Sequence, residues 1–525
     1  MSRRIHPTLG LVALALATLG MAADPPGKTL WLSNPADAAR IARVEAGLPA
    51  LPIGGESRTL DVNGWMDVYN VPGISVTVFD DFHLAWAKTY GVKEAGKPQP
   101  VTLDTLFQAG SISKPVSAMA VMHFVDKNVL SLDADINSEL RSWKVPENEF
   151  TAKEKVTLRR LLSHSAGLTV HGFPGYAVGE KTPTLIQVLD GAKPANTLPV
   201  RVDFVPGSQF RYSGGGTTIV QLTLVDRLEK PFPAIMDETV IGKLGLKNST
   251  YEQPLPPNRA ARAASGHRAN GNVVEGKWHV YPEMAAAGLW TTPTDLAEIA
   301  IEMAKSKRGK SNRVLTQQST ELMLTPRAEE AGLGWFVDPT GKTDRFGHNG
   351  ADEGFQALLV AFAATGRGVV MMANSDNGIS MMQPLLDAVA REYQWPGYTP
   401  WKPGISAILT VAKKTGGVDG MLAEYSRLRR TRPESDFDPG QLNQAGYQSL
   451  RADRRPGDAI TIYKLNVEMF PKDSNAYNSL GEAYMEAGEK DLAVANYRRS
   501  LELDPKNDNA IAMLKKLGVA WKPGR

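Results

Sequence analysis

The 525-residue chain contains no cysteine. That absence excludes disulfides, thiolate metal sites, a cysteine nucleophile and a lipid-anchor cysteine. It leaves an oxidising compartment open, because a core of this size needs no covalent staple. Charge of one sign is scarce as well. The net charge is +3, and Arg3 and Arg4 lie in a segment expected to be removed, which leaves +1. So balanced a chain has no electrostatic footprint for nucleic acid or an anionic membrane. The apolar run from Leu9 to Leu19 falls short of the about 20 helical residues that span a bilayer. There is no HExxH, no clustered His and carboxylate spacing, no Walker loop and no GxGxxG placed where it would carry weight, so no metal and no cofactor is expected. Gly214-Gly215-Gly216 resembles a phosphate loop only by composition.

The N-terminus reads as an export signal over residues 1–23. Arg3 and Arg4 supply the positive start, the apolar run follows, and Gly20-Met21-Ala22-Ala23 offers small residues for cleavage. The expected location is therefore the periplasm or the outside of the cell. Ser2-Arg3-Arg4 hints at twin-arginine export, but His6-Pro7 follows where that signal wants apolar residues.

Beyond the signal, Ala36 to Leu48 has helical periodicity. Gly73–Phe79 and His83–Tyr90 read as strands of a hairpin around Asp80-Asp81. Lys114 to Val125 reads as a buried helix, with Pro115 tolerated in its first turn. Residues 130–330 alternate short amphipathic helices with Gly- and Pro-rich loops. Thr292-Pro293-Thr294-Asp295 marks one helix start. The period returns to β between Leu333 and Asn374. Segregation of this kind predicts an α+β fold, an antiparallel sheet shared by the first hairpin and the last strands, with helices on its faces and a helical subdomain. The expected hydrolytic unit is residues 24–395. A Pro-, Gly- and aromatic-rich linker over 396–404 leads to helical sequence over 405–525. Within it, Tyr477, Leu480, Gly481, Tyr484, Ala493, Tyr497 and Pro505 match the 34-residue tetratricopeptide spacing, and Ala459, Tyr463 and Pro471 predict a more degenerate preceding copy. A repeat scaffold implies a protein partner or self-association.

The chemistry centres on Gly110-Ser111-Ile112-Ser113-Lys114. Residues three apart share a helix face, so the Lys114 amine can reach the Ser111 hydroxyl. A serine hydroxyl is a poor nucleophile until a neighbour takes its proton. Ser-x-x-Lys occurs once in the chain. Three further segments accompany it: Leu161-Leu162-Ser163-His164-Ser165-Ala166-Gly167-Leu168, Pro206-Gly207-Ser208-Gln209-Phe210-Arg211-Tyr212-Ser213-Gly214, and Gly347-His348-Asn349-Gly350.

In that order these segments resemble the serine β-lactamase and penicillin-binding-protein superfamily, over about residues 55–395. Class C β-lactamases, D-amino-acid peptidases and serine esterases are the most similar branches. The resemblance implies a five-stranded antiparallel sheet flanked by helices, with the site between sheet and helical subdomain. It also implies Ser111 as acylated nucleophile, Lys114 as its proton partner and Tyr212 as proton shuttle and activator of water. The backbone N–H groups of Ser111 and Ala351 become the oxyanion hole, and His348, Asn349 and Gly350 line the sheet side of the cleft. Two positions depart from the pattern. Gly214, in the substrate-binding set, stands where the family has an asparagine. His348 stands where β-lactamases carry a lysine that meets a substrate carboxylate, and a histidine there gains charge only as pH falls. His164 reads as structural, and His123 and His171 have no assignment. The function implied is an exported hydrolase acting through an acyl-serine on small amides or esters: D-amino-acid peptides, β-lactams or short-chain esters. Two alternatives are a dedicated class C-like β-lactamase and a catalytically weak peptide-binding protein on a repeat scaffold.

Overall fold

In a strand, successive side chains face opposite ways, so one strand can feed two cores at once. Arg367–Ala373 does this: Val370 and Met372 enter one apolar cluster, while Val369, Met371 and Ala373 enter another on the opposite face. Phe355–Phe362 behaves likewise, with Ala357, Leu359 and Ala361 on one side and Leu358 and Phe362 on the other. A sheet covered on both faces is the outcome. The computed structural model describes residues 27–521, so the expected signal segment lies outside the described residues.

The sheet strands are β1 (Leu30–Leu32), β2 (Gly73–Asp80), β3 (His83–Gly91), β4 (Phe336–Val337), β5 (Arg345–Asp352), β6 (Phe355–Phe362) and β7 (Arg367–Ala373). They run in the order β1-β3-β2-β7-β6-β5-β4, every pairing antiparallel. The hairpin and the last strands share one sheet through β2 and β7, in the register Ile74↔Ala373 to Phe79↔Gly368. Seven strands stand where five were expected. The five long strands lie within the hairpin and the β region of 333–374 expected from the sequence, and the additional two are edge pieces of three and two residues, too short for periodicity to reveal.

The helices around the sheet are α1 (Asp37–Ala46), α2 (Ser113–Asp126), α3 (Gly214–Leu228), α4 (Pro293–Lys307) and α5 (Gly378–Glu392). The tail adds α6 (Ile405–Thr431), α7 (Pro439–Tyr447), α8 (Pro456–Met469), α9 (Ser474–Glu486), α10 (Lys490–Leu503) and α11 (Asp508–Lys516). Helix α2 is buried on all sides from Ser113 to His123, as its unbroken apolar sequence requires. Thr292 caps α4 as predicted, its Oγ1 accepting from the Asp295 N–H at 3.3 Å. α2, α3 and α4 share the cluster on one face of the sheet; α1 and α5 pack on the other.

The tail is divided between two cores. Ile405, Leu409, Met421 and Tyr425 of α6 and Leu442 of α7 join Trp65, Ile74 and Leu385 in the second-face cluster. The repeats proper, around Tyr463, Leu480, Tyr484, Ala493 and Tyr497, form a third cluster. Gly481 is small because a Cβ there would lie 3.1 Å from the Tyr497 ring. Helices α6 and α7 thus pack on the face of the sheet away from α2.

Candidate active site

Ser111 sits in a 3-10 turn, Gly110–Ile112, immediately before α2. The turn is fixed from several sides. Ser113 Oγ donates to the Gly110 carbonyl at 2.6 Å and accepts from the Leu289 N–H at 3.0 Å, and the Ala109 N–H reaches the Leu289 carbonyl at 2.9 Å. Gly110 has φ +50°, which a glycine adopts without strain. Lys114 is buried, and its Nζ lies 2.8 Å from Ser111 Oγ and 2.9 Å from the Ala286 carbonyl. Its Nζ is also 4.9 Å from the centre of the Tyr212 ring.

Tyr212 precedes the cap of α3. Ser213 Oγ accepts from the Gly216 N–H at 2.9 Å and donates to the Thr169 carbonyl at 2.7 Å. The Leu161–Leu168 segment holds this loop in place. His164 Nδ1 accepts from the Ser213 N–H at 3.2 Å, and the His164 carbonyl accepts from the Arg211 N–H at 2.8 Å. The His164 ring lies 4.3 Å from the Tyr212 ring. Burial, with Lys114 nearby, pushes the His164 imidazole well below its ordinary pKa. A buried neutral ring bonded to the loop backbone is a support for Tyr212.

Strand β5 closes the other side. His348, Gly350 and Asp352 share its buried face, while Asn349 and Ala351 are exposed. Beyond Gly347, β5 has β6 on one edge and no strand on the other. At Gly350 the strand presses on the nucleophile turn: a Cβ there would lie 1.9 Å from the Ala109 carbonyl and 3.3 Å from the Ser111 nitrogen. A Cβ on Gly110 would in turn lie 2.5 Å from the Ala351 nitrogen. These two contacts bring the Ser111 and Ala351 backbones together at the mouth of the cleft, with Ser111 and Tyr212 half-buried beside them.

Two residues expected to meet substrate are covered. His348 is buried and stacks on Phe336 at 4.6 Å. Its Nδ1 is 2.5 Å from the Asn349 carbonyl, which fixes the proton on Nδ1 and leaves Nε2 a buried acceptor without a donor. Burial first, then Lys114, pushes its pKa down to about 3. It stays neutral over the pH range in which it was expected to gain charge. Gly214 is buried beneath residues 171–173: its N–H donates to the His171 carbonyl at 2.9 Å, and a Cβ would lie 3.0 Å from both that carbonyl and the Phe173 ring. The space a side chain would need is filled by this loop. The exposed His171 ring lies 4.9 Å from Tyr212, so an unassigned histidine occupies the rim that position 214 was expected to face.

Sequence reasoning also missed two acids. Asp352, on the buried face of β5, is pushed well above the ordinary carboxyl range by burial, against the opposing effects of Lys114 and the Gly110 N–H. Glu283, directly before the short helix Met284–Ala287, is fully buried, and burial pushes its pKa up to about 7. An acid placed ahead of the apolar run Met284-Ala285-Ala286-Ala287-Gly288-Leu289-Trp290 was the available signal. Among the described residues, no group of three or more His, Asp or Glu side chains is gathered so as to hold a metal ion.

The family model for β-lactamase matches residues 61–394. The chain belongs to the β-lactamase family. A second model, the tetratricopeptide repeat, matches residues 474–507, the stretch that forms α9 and α10. This β-lactamase-family chain is 26% identical over 278 residues to a β-lactamase of Pseudomonas fluorescens, covering 52% of this chain and 72% of that one. It is 26% identical over 327 residues to penicillin-binding protein 4 of Amycolatopsis lactamdurans, covering 59% and 82%. Its fold is similar to that of the octameric penicillin-binding protein homologue from Pyrococcus abyssi, at TM-score 0.53 and 20% identity, over 68% of this chain and 80% of that one. The family is one of serine hydrolases.

Proposed function

We propose that this protein is an exported serine hydrolase that forms an acyl ester on Ser111. The observation that carries the reading is the 2.8 Å contact between Ser111 Oγ and a buried Lys114 Nζ that has no ion-pair partner among the described residues. As a free amine, Lys114 accepts the Ser111 proton while Oγ bonds to the substrate carbonyl carbon. The oxygen that becomes negative sits between the Ser111 and Ala351 N–H groups, a type of contact whose loss typically costs about 10²–10³ in kcat. Collapse expels an amine or alkoxide, which takes a proton by way of Tyr212. The Lys114 amine, having passed on its proton, then takes one from water through the Tyr212 hydroxyl as the hydroxide bonds to the acyl carbon, and collapse breaks the ester C–O bond and returns that proton to Ser111 Oγ as the acid leaves.

The substrate class follows from the covered residues. With His348 neutral and buried, β5 offers no cation from that position to a substrate carboxylate. Neutral esters and amides, including blocked D-amino-acid amides, are therefore the favoured substrates, and β-lactams the lesser ones. The test is turnover of short nitrophenyl esters, D-amino-acid amides and a chromogenic cephalosporin under one set of conditions. Cephalosporin hydrolysis far above ester hydrolysis would favour a dedicated β-lactamase. The repeats form a core of their own, and we assign them to a protein partner.

A further inference from the structure

Where α6 packs against the hydrolytic unit, the junction encloses a cavity of about 630 Å³. That volume falls within the about 300–1,000 Å³ usual for small-molecule sites. None of its lining residues belongs to the cleft around Ser111. Asn70, Asn270 and Asn272 of the hydrolytic unit form one wall. Helix α6 supplies Lys413 and Lys414, and the connector from α7 to α8 supplies Gln448, Arg454 and Arg455. Leu409 and Met421, both buried, add apolar surface.

The walls are tied to one another by direct contacts. Asn270 Nδ2 donates to the Ala452 carbonyl at 2.9 Å, joining the hydrolytic unit to the connector. Lys413 Nζ lies 2.7 Å from Asp453 Oδ2, joining α6 to the same connector. Lys414 Nζ donates to Asn70 Oδ1 at 3.3 Å, joining α6 to the hydrolytic unit. The Asn270 side chain is held in turn, its Oδ1 accepting from the Asn272 N–H at 2.9 Å. Three separate parts of the chain therefore meet at fixed points around the space.

The charges of the lining are nearly, but not fully, matched. Lys413 pairs with Asp453 at 2.7 Å, Lys414 with Asp67 at 3.5 Å and Arg455 with Asp458 at 3.8 Å. Arg454 has no hydrogen bond or ion pair among the described residues. A single free guanidinium suits one negative charge and falls short of a polyphosphate. Its fork of donors fits a carboxylate through two parallel N–H bonds. The Asn272 and Gln448 carboxamides also make no hydrogen bond among the described residues. Each offers a donor and an acceptor, the two groups that an amide needs from its partner.

We propose that this cavity binds a small monocarboxylate that carries amide groups, of the kind of an N-acylated amino acid or dipeptide. Arg454 holds the carboxylate, and Asn272 and Gln448 bond to the amides. The site draws on both the hydrolytic unit and the tail, so it exists only when the two are docked.

The test is calorimetric titration of the full chain with N-acetyl-alanylalanine, its C-terminal amide and inorganic phosphate. The carboxylate should bind, and the other two should bind at least about tenfold more weakly. Arg454→Gln should weaken the carboxylate by a similar factor, about the loss expected for a hydrogen bond to a charged group. Asp458→Asn, which removes a carboxylate and frees Arg455, should tighten it. Arg454 is exposed and unpaired, so melting temperature and ester turnover in Arg454→Gln should match wild type. The proposal is overturned if the wild type does not bind the probe, or if Arg454→Gln binds it equally well. Equal binding of the amide or of phosphate, or weaker binding in Asp458→Asn, overturns it too. Binding lost in Ser111→Ala but kept in Arg454→Gln would place the probe in the catalytic cleft and refute the site.

Discussion

Gly350→Ala tests the geometry at its tightest point. Its added Cβ would lie 1.9 Å from the Ala109 carbonyl, whereas ordinary contacts begin at 3.4 Å. The obstacle is backbone, held by the Ala109 bond to Leu289 at 2.9 Å, so no side-chain rotation relieves it. Strand and turn must separate by about 1.5 Å, the difference between those two distances. Oxyanion donors act within about 2.7–3.1 Å, so a displacement of that size removes one of them. The expected loss in kcat on a neutral ester is roughly 10²–10³, and overpacking should cost about 1–3 kcal/mol of stability. The assay is initial-rate turnover with thermal unfolding followed in parallel. Gly457→Ala serves as control, because a Cβ there meets nothing within 4 Å; its activity should match wild type. A Gly350→Ala protein with wild-type turnover and stability would refute the placement of β5 against the nucleophile turn.

Lys114→Met, which keeps the apolar stem and removes the amine, should lower Ser111 acylation by about 10²–10⁴ while the fold persists, as read by labelling rate and circular dichroism. Because His348 is held neutral down to about pH 3, the wild-type preference between neutral and carboxylate-bearing esters should not change between pH 5 and 8; a gain on the anionic ester as pH falls would contradict its burial. Glu283 has a folded-state pKa raised to about 7 from 4.5, so it contributes stability below 4.5 that is lost as pH rises to 7. Glu283→Gln should accordingly gain on wild type across that window, by on the order of 3 kcal/mol, in thermal melts at pH 5, 6, 7 and 8. Ending the chain after Pro471 should leave turnover of a small ester intact. Ending it before Ile405 should strongly destabilise the hydrolytic unit, because Leu409, Met421 and Tyr425 belong to its second-face core.

Much of this arrangement was legible in the sequence, for identifiable reasons. The apolar runs of β2, β6 and β7 are long enough for their period to show, and α2 follows from an unbroken apolar stretch after a glycine-flanked serine. The Ser-x-x-Lys spacing needs only one helical turn to become a contact, so Ser111 and Lys114 could be paired without a fold. The edge strands β1 and β4 could not be read, being too short to carry a period. The conditions of individual side chains were also hidden. His348 follows the pattern of a cleft-lining residue, yet Phe336, twelve positions earlier, covers it. Gly214 follows the pattern of a substrate-facing position, yet residues 171–173 from a separate loop cover it. Asp352 and Glu283 carry charges that local sequence assigns to the surface; only the meeting of β5, the nucleophile turn and the short helix buries them. The change of composition near Pro403 suggests where a linker lies, but the packing of α6 against Trp65 and Ile74 depends on contacts more than 300 positions apart.

The central claim is that Ser111 becomes acylated with the help of Lys114. Its most direct test is intact-mass and peptide-mapping analysis of the full chain after reaction with a neutral fluorophosphonate. The account predicts one adduct per chain, on the peptide containing Ser111, absent in Ser111→Ala and strongly slowed in Lys114→Met. Adduct on a different serine, with ester turnover intact in Ser111→Ala, would contradict it.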